Sequence, residues 1–444
     1  MFKRIIHCLK SFRRKFKKLY NTLRTCPPQD LAEVLTKIFR KFQRRTAGFE
    51  GKSFLNLLET TVLPAFWLKL GKNVLYQLKE YFYFLIFLSS LSITPEGGSQ
   101  MLELAAILGP NADTLLHHLA KFTTAEILAL TDQINAVILR LAQRHFRRGF
   151  WKKAFPVAID CTDNPFYGDR TTPGIVGGKK KGGTNWFYRF AALTLIQPHL
   201  RFTLAEYPVL PLENLVEVVR KLISKAEAVI RIKEIEVDRG FFNTKIVQFL
   251  TEGHYKFLMP AVKNTPIKEA IHAYHQGTGP SCFAYQFKAA KAGEGNKPFT
   301  VFLVKGDQKE APRRKNAQKP PDPVDLYHVF ATNKKVRNHA PQALQRLADQ
   351  YRARWGIETG FKMVNLFHIK TTSTNFVIRL FFQLFAVVLY NLWILLNLLQ
   401  QSKHQIGYIL PTPRVKMLLL LKSLQILASK LEEKWKKPQS AADF

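Results

Sequence analysis

FPVAIDCTD, residues 155–163, is where the hydrophobic pattern of the chain changes period. An apolar run of this length that closes on an acid, Asp160, reads as a buried strand. The segments after it keep the pattern. NWFYRFAALTLIQ (185–197) and RFTLAEYPV (201–209) are aromatic and β-branched enough for two more strands. LENLVEVVRKLISKA (212–226) places its apolar residues at helical spacing. IKEIEVDRG (232–240) is a strand closing on a second acid, Asp238; NTKIVQFLTEG (243–253) is a helix and YKFLMPAV (255–262) a fifth strand. Three strands, helix, strand, helix, strand is an α/β order. Between the first two strands, IVGGKKKGGT (175–184) predicts a glycine-lysine loop in which Lys179, Lys180 and Lys181 touch DNA backbone or form a solvated hairpin tip.

Outward from this region the pattern is helical on one side and irregular on the other. Residues 101–145 read as short helices interrupted at Gly109-Pro110 and Thr123-Thr124, an arrangement that permits a helix-turn-helix or plain helical packing. Residues 1–45 interleave Lys and Arg with apolar residues on most helix faces, as a DNA-gripping arm or a solvated segment would. From Lys263 to Thr332, strand-like CFAYQFKAA, PFTVFLVKG and LYHVFATN flank the Pro- and charge-rich DQKEAPRRKNAQKPPDPVD, which reads as a loop in a β-rich insertion. Helix resumes at PQALQRLADQYRARWGIETGFKMVN and continues to the end.

Bulk properties narrow the function. In 444 residues, 67 Lys and Arg face 32 Asp and Glu, a net charge of +35. Such a balance points to a polyanionic partner, nucleic acid first, with a generic basic surface as the alternative. Cys8, Cys26, Cys161 and Cys282 have no ligand-like spacing, so neither zinc nor a disulfide framework is expected and a reducing cytosol fits. The basic N-terminus lacks the apolar core and cleavage site of a signal peptide. Tyr81–Ile93 is short for a membrane span, and Phe376–Leu399 carries Arg379, Gln383, Asn391 and Asn397. Both are expected to be buried helices, with no membrane partner.

In so basic a chain the placed acids stand out. A carboxylate closing a buried strand sits at the rim of a sheet, where α/β folds bind ligands. If the first and fourth strands are neighbours, Asp160 and Asp238 lie side by side. The third acid is in YRARWGIETGFK (351–362), where at roughly 100° per residue Tyr351, Arg354, Glu358, Lys362 and Asn365 share one face, with Ile357, Phe361 and Val364 on an adjacent apolar one. The same spacing makes Arg354–Glu358 an ordinary i,i+4 pair. Three carboxylates brought together need a cation between them. Hard divalent metal suits them, and two such ions about 3.5–4 Å apart serve phosphoryl transfer. Asp163, three residues past Asp160, is expected to be a turn residue. Arg239 is expected to touch phosphate or pair locally, and Trp355 to lie in the core. The histidines show no ligand spacing.

AIDCTDNPFYG (158–168), EVDRGFF (236–242) and YRARWGIETGFK, in this order with a β-rich insertion before the third, resemble the DDE transposases of prokaryotic insertion sequences. The likeness is to the branch with a Tyr-x2-Arg-x3-Glu-x6-Lys signature, archaeal members included. It runs from Val157 to Trp393 and takes in TTS (371–373) and YNLW (390–393). The resemblance implies a ribonuclease H-like mixed sheet with flanking helices, and cut-and-paste chemistry: a metal-activated water nicks the DNA and the freed 3′-hydroxyl attacks the target. It makes Asp160, Asp238 and Glu358 the metal-binding catalytic triad, for two Mg²⁺ with Mn²⁺ as substitute. Tyr351 and Arg354 match the DNA-contacting positions. The signature lysine is Asn365 here, and Lys362, one turn earlier, is the candidate in its place.

The expected organisation is therefore a basic helical DNA-binding region over 1–150, the core over 151–262, a β-rich insertion over 263–335, the rest of the core with the Glu358 helix over 336–400, and a helical tail over 401–444. The expected partners are double-stranded DNA, as terminal inverted repeats and target, and a second copy of the chain, in a cytoplasmic, nucleoid-associated setting. A structure-selective nuclease using the same acids, and a DNA-binding protein whose site has decayed, are the alternatives.

Overall fold

The computed structural model describes residues 55–72, 74–145, 149–197, 200–288, 297–306, 322–404 and 412–436, with 33, 34 and 37 besides. Apart from residues 33, 34 and 37, the expected basic arm over 1–45 lies outside the described residues, as does the charge-rich segment up to residue 321. The chain divides into two compact units: residues 1–146, 171–173 and 362–444 in one, and 147–170 with 174–361 in the other. The segment 336–400, read as one piece of the core, is shared between them.

The first unit is helical. Its N-terminal part holds α1 (Leu78–Leu91), α2 (Pro95–Leu104), α3 (Ala112–Ala120) and α4 (Thr124–His145). Side-chain caps start them, α2 and α3 among them. Thr94 accepts from the Gly97 amide and Asn111 from Thr114, satisfying amides that have no partner within a helix. Every residue of α1 from Glu80 to Ser90 is buried, so the apolar stretch that begins at Tyr81 is core through Ser90 and half-buried from Leu91 to Ile93.

The second unit carries all nine described strands in one mixed sheet. They are β1 (Ala154–Phe166), β2 (Val176–Lys181), β3 (Thr184–Leu195), β4 (Thr203–Val209), β5 (Arg231–Val237), β6 (Phe257–Pro260), β7 (Cys282–Tyr285), β8 (Phe299–Lys305) and β9 (Tyr327–Thr332). The order is β2-β3-β1-β5-β6-β9-β8-β7, with β4 also on β3. β1 runs antiparallel to β3 and parallel to β5, and β5 parallel to β6. This is the expected ribonuclease H-like combination of an antiparallel half and a parallel half. Helices α5 (Leu215–Glu227) and α6 (Thr244–Glu252) make the two crossovers to β5 and β6, entered by Asn214 and Asn243 as side-chain caps. Val157, Ala158 and Ile159 are wholly buried, as a strand covered on both faces requires.

The segment read as a β-rich insertion holds β7–β9, which lengthen the same sheet through β9 paired with β6 at Leu258↔Thr332, and a helix, α7 (Thr265–His275). One expectation is corrected here. The loop after β1 is in part a strand. β2 runs through Lys181, and Gly182 and Gly183, both at positive φ, turn it into β3.

The long helix of the third motif is interrupted. α8 (Pro341–Tyr351) gives way to a 3₁₀ turn, Arg352–Arg354, before α9 (Trp355–Val364). The helical unit then resumes with α10 (Phe376–His404) and α11 (Thr412–Lys436). Phe376–Leu399 is long and apolar enough to cross a membrane, but 94% of its most apolar window is buried within the protein. Its polar residues have protein partners: Asn391 donates to Asn135 at 2.9 Å and Asn397 to the Trp393 carbonyl at 2.9 Å.

Candidate active site

The β1–β5 ladder ends at Ile159↔Val237. The next residue on each strand is an aspartate, so parallel register alone sets Asp160 beside Asp238. β1 continues past this point with β3 as its ladder partner to Phe166. Asp160 thus stands at the rim of the parallel half, in the crevice beyond strand carboxyl ends where such sheets bind ligands. Asp238 leads a 3₁₀ turn, Arg239–Phe241, that carries the chain to the Asn243 cap of α6.

α9 supplies the third acid. Ile357, with Phe361 packed beside it, lies against Ala158 and Ile196 and seats the helix on the sheet. Glu358 then faces the two aspartates across a single guanidinium. Arg354 Nη1 donates to Asp160 Oδ2 at 2.8 Å, and Nη2 donates to Glu358 Oε1 at 2.9 Å and lies 3.6 Å from Asp238 Oδ1. The Arg354 side chain is 7% exposed and that of Asp160 16%, whereas Asp238 and Glu358 are close to half exposed. Burial raises the Asp160 carboxyl above its ordinary range, against the pull of Arg354 and of the Cys161 amide, which donates to Asp160 Oδ1 at 2.8 Å. Burial beside Asp160 also holds the Cys161 thiol protonated, pushed up to about 12.

The remaining expected residues fall into two groups. Lys179, Lys180 and Lys181 are exposed along β2, Arg239 is exposed after Asp238, and Lys362 and Asn365 are exposed at and just beyond the end of α9. Tyr351 is buried, and its hydroxyl donates to the Val237 carbonyl at 3.2 Å, directly before Asp238. Its ring lies 5.3 Å from the Arg354 guanidinium carbon.

Two further expectations are corrected. Asp163 is no turn residue: it sits within β1 opposite Arg189, which donates Nε to Oδ1 at 2.7 Å and Nη2 to Oδ2 at 3.2 Å. Trp355 is not core but 68% exposed. Within α9 it lies two residues, about 200°, from Ile357, on the side of the helix opposite the face seated on the sheet.

Glu236 is a site residue that the sequence reading does not single out. Two residues before Asp238 at strand spacing, it is buried and is pushed up to about 8 by burial and by neighbouring Glu234. The alternation Glu-Ile-Glu-Val-Asp carries the signal, three acids at period two on one strand face. Glu234 is matched by Lys334 at 2.7 Å.

Among the described residues, no three Asp, Glu, His or Cys side chains are grouped so as to hold a metal ion as they stand. The three acids instead surround a cation that the chain supplies itself. Their hard oxygen donors and their convergence on one positive charge fit a divalent ion in kind, with the guanidinium lying between them.

A family profile described as Transposase DDE domain matches residues 158–392, which include Asp160, Asp238 and Glu358. Six chains of solved structures are similar. One is a cryo-EM structure of the piggyBac transposase synaptic complex with hairpin DNA, with a TM-score of 0.53 at 12% identity, covering 82% of this chain and 74% of that one. At that identity the likeness is one of fold. No curated protein sequence matches.

Proposed function

Because the chain belongs to the DDE transposase-domain family and is an enzyme of DNA transposition, we propose that Asp160, Asp238 and Glu358 are its catalytic carboxylates. The observation that supports this is their meeting around one guanidinium from three separate elements, β1, the end of β5 and α9. Members of the family use divalent metal ions. In this reading the three carboxylates hold two Mg²⁺, with Mn²⁺ able to substitute. When bound, such ions lower the pKa of an attacking water and offset charge developing on the phosphate.

The chain's own residues do the rest. Arg354 offers a planar fork suited to bidentate phosphate binding. Lys179, Lys180 and Lys181 on the exposed hairpin, with Arg239 and Lys362, hold the DNA backbone by charge. Tyr351 acts from beneath, holding the end of β5 through Val237. The DNA is double-stranded, taken as terminal repeats and as target, and two copies of the chain join two ends. Activity belongs in the cytoplasm at the nucleoid. The branch is that of prokaryotic insertion sequences with the Tyr-Arg-Glu-Lys signature, Asn365 standing at the lysine position.

The test is substitution of each acid by its amide. Asp160→Asn, Asp238→Asn and Glu358→Gln should each abolish strand cleavage and transfer on a donor carrying the element ends, with duplex affinity within about twofold of the parent, because backbone binding rests on the basic surface. Full cleavage by any one variant removes that residue from the assignment.

A further inference from the structure

We propose that Arg354 is an internal counterion which a divalent cation must displace from the three acids, and that DNA phosphate takes up the released guanidinium, so that metal and DNA bind cooperatively. The inference rests on the assignment of Asp160, Asp238 and Glu358 as metal-holding carboxylates.

Four observations carry it. First, one guanidinium serves three carboxylates at 2.8, 2.9 and 3.6 Å, so three ionised acids and one arginine sum to −2. The cluster is under-neutralised and attracts a further cation. A divalent ion among the same oxygens would lie within a few ångströms of the guanidinium, where like charges with little intervening solvent repel strongly. The two cations therefore compete for one position.

Second, the backbone of Arg354 is anchored independently of the carboxylates that hold its head. The chain just before it is held through the Tyr351 hydroxyl to the Val237 carbonyl, and α9 just after it is seated on the sheet by Ile357. Exchange therefore requires only rotation of the Arg354 side chain, with no movement of α9. Third, the Arg354 Nε is buried with no hydrogen-bond partner, so the resting arrangement leaves one donor of the fork unsatisfied. A phosphate engaged by Nε and one Nη would satisfy it. Fourth, the way out lies toward the ligand, because Asp238 and Glu358 are close to half exposed while Asp160 is deep.

The consequence is reciprocal. If DNA draws Arg354 out of the cluster, DNA raises metal affinity, and metal raises DNA affinity by the same factor. Metal loading would then be confined to protein already on DNA.

The experiment uses the full chain and reads binding rather than turnover. Mn²⁺ is titrated by electron paramagnetic resonance, with and without a short duplex of arbitrary sequence. The parent should bind Mn²⁺ at least about fivefold more tightly with DNA. Arg354→Gln should bind Mn²⁺ at least about fivefold more tightly than the parent without DNA, and respond little to DNA. Arg354→Lys, which keeps a charge but lacks the fork, should fall between the two, and it decides the matter if the glutamine variant does not fold. Asp160→Asn should weaken Mn²⁺ binding in every background. Binding that depends on Asp160 yet is unchanged or weakened in the Arg354 variants overturns the counterion role and leaves the metal site standing. Binding indifferent to Asp160→Asn overturns the metal site, and the counterion role with it.

Discussion

Asp160 and Asp163 stand three residues apart on one strand and have opposite fates. Asp160 faces Asp238 and Glu358 across a shared arginine, whereas Asp163 has an arginine of its own, Arg189, in a two-point ion pair. Asp163→Ala should therefore cost about 1 kcal/mol in stability, the size of a partly exposed pair, measured by urea unfolding, while cleavage survives. Loss of cleavage with stability intact would move Asp163 into the reacting group. In the helical unit, burial, with the charge of Arg379 second, holds the His368 imidazole down to about 4. A histidine whose folded pKa lies below its unfolded value near 6.5 binds fewer protons folded than unfolded between the two. Its contribution is thus intact above about pH 6.5 and is lost as pH falls toward 4, by at most about 3 kcal/mol. His368→Leu should flatten that part of the stability–pH curve, and an unchanged curve would exonerate this side chain.

At the scale of elements, the 3₁₀ turn between α8 and α9 decides what the site presents. It carries the buried Arg354 between the two helices, and Tyr351 fixes its position against β5. Tyr351→Phe removes one hydrogen bond to a buried carbonyl and should lower stability by about 1 kcal/mol, with the salt dependence of DNA binding unchanged. A changed salt slope would place the hydroxyl on phosphate instead. The β2–β3 hairpin depends on two glycines at positive φ, 60° and 90°. Gly183→Ala forces an L-residue into that region and should cost about 1 kcal/mol, loosening the ribbon that displays the three lysines.

For the molecule as a whole, charge governs DNA affinity. With +35 on 444 residues, binding should weaken steeply and linearly in log salt. Replacing Lys179, Lys180 and Lys181 together by alanine should reduce that slope by about 2–3, close to one per lost phosphate contact. An unchanged slope would return the hairpin to the role of a solvated tip. Much of this architecture is written locally. Val157–Asp160 announces a buried strand that ends in acid, because an apolar run fixes a strand and the first carboxylate marks its rim; Ile235–Asp238 also ends in acid but buries Glu236 on the way. The net charge names a polyanion, and the order of the three motifs names the family. Strand ladders that join distant segments are not local. β7–β9 look like a separate module in sequence, since nothing in their composition says that β9 will pair with β6. A 3₁₀ turn has no hydrophobic signature either, so the break between Tyr351 and Trp355 is not legible in the spacing. The same spacing pairs Arg354 with Glu358 alone. That this guanidinium also reaches Asp160 and Asp238 comes from parallel register and from the seating of α9 on the sheet, and neither exists until the chain has folded.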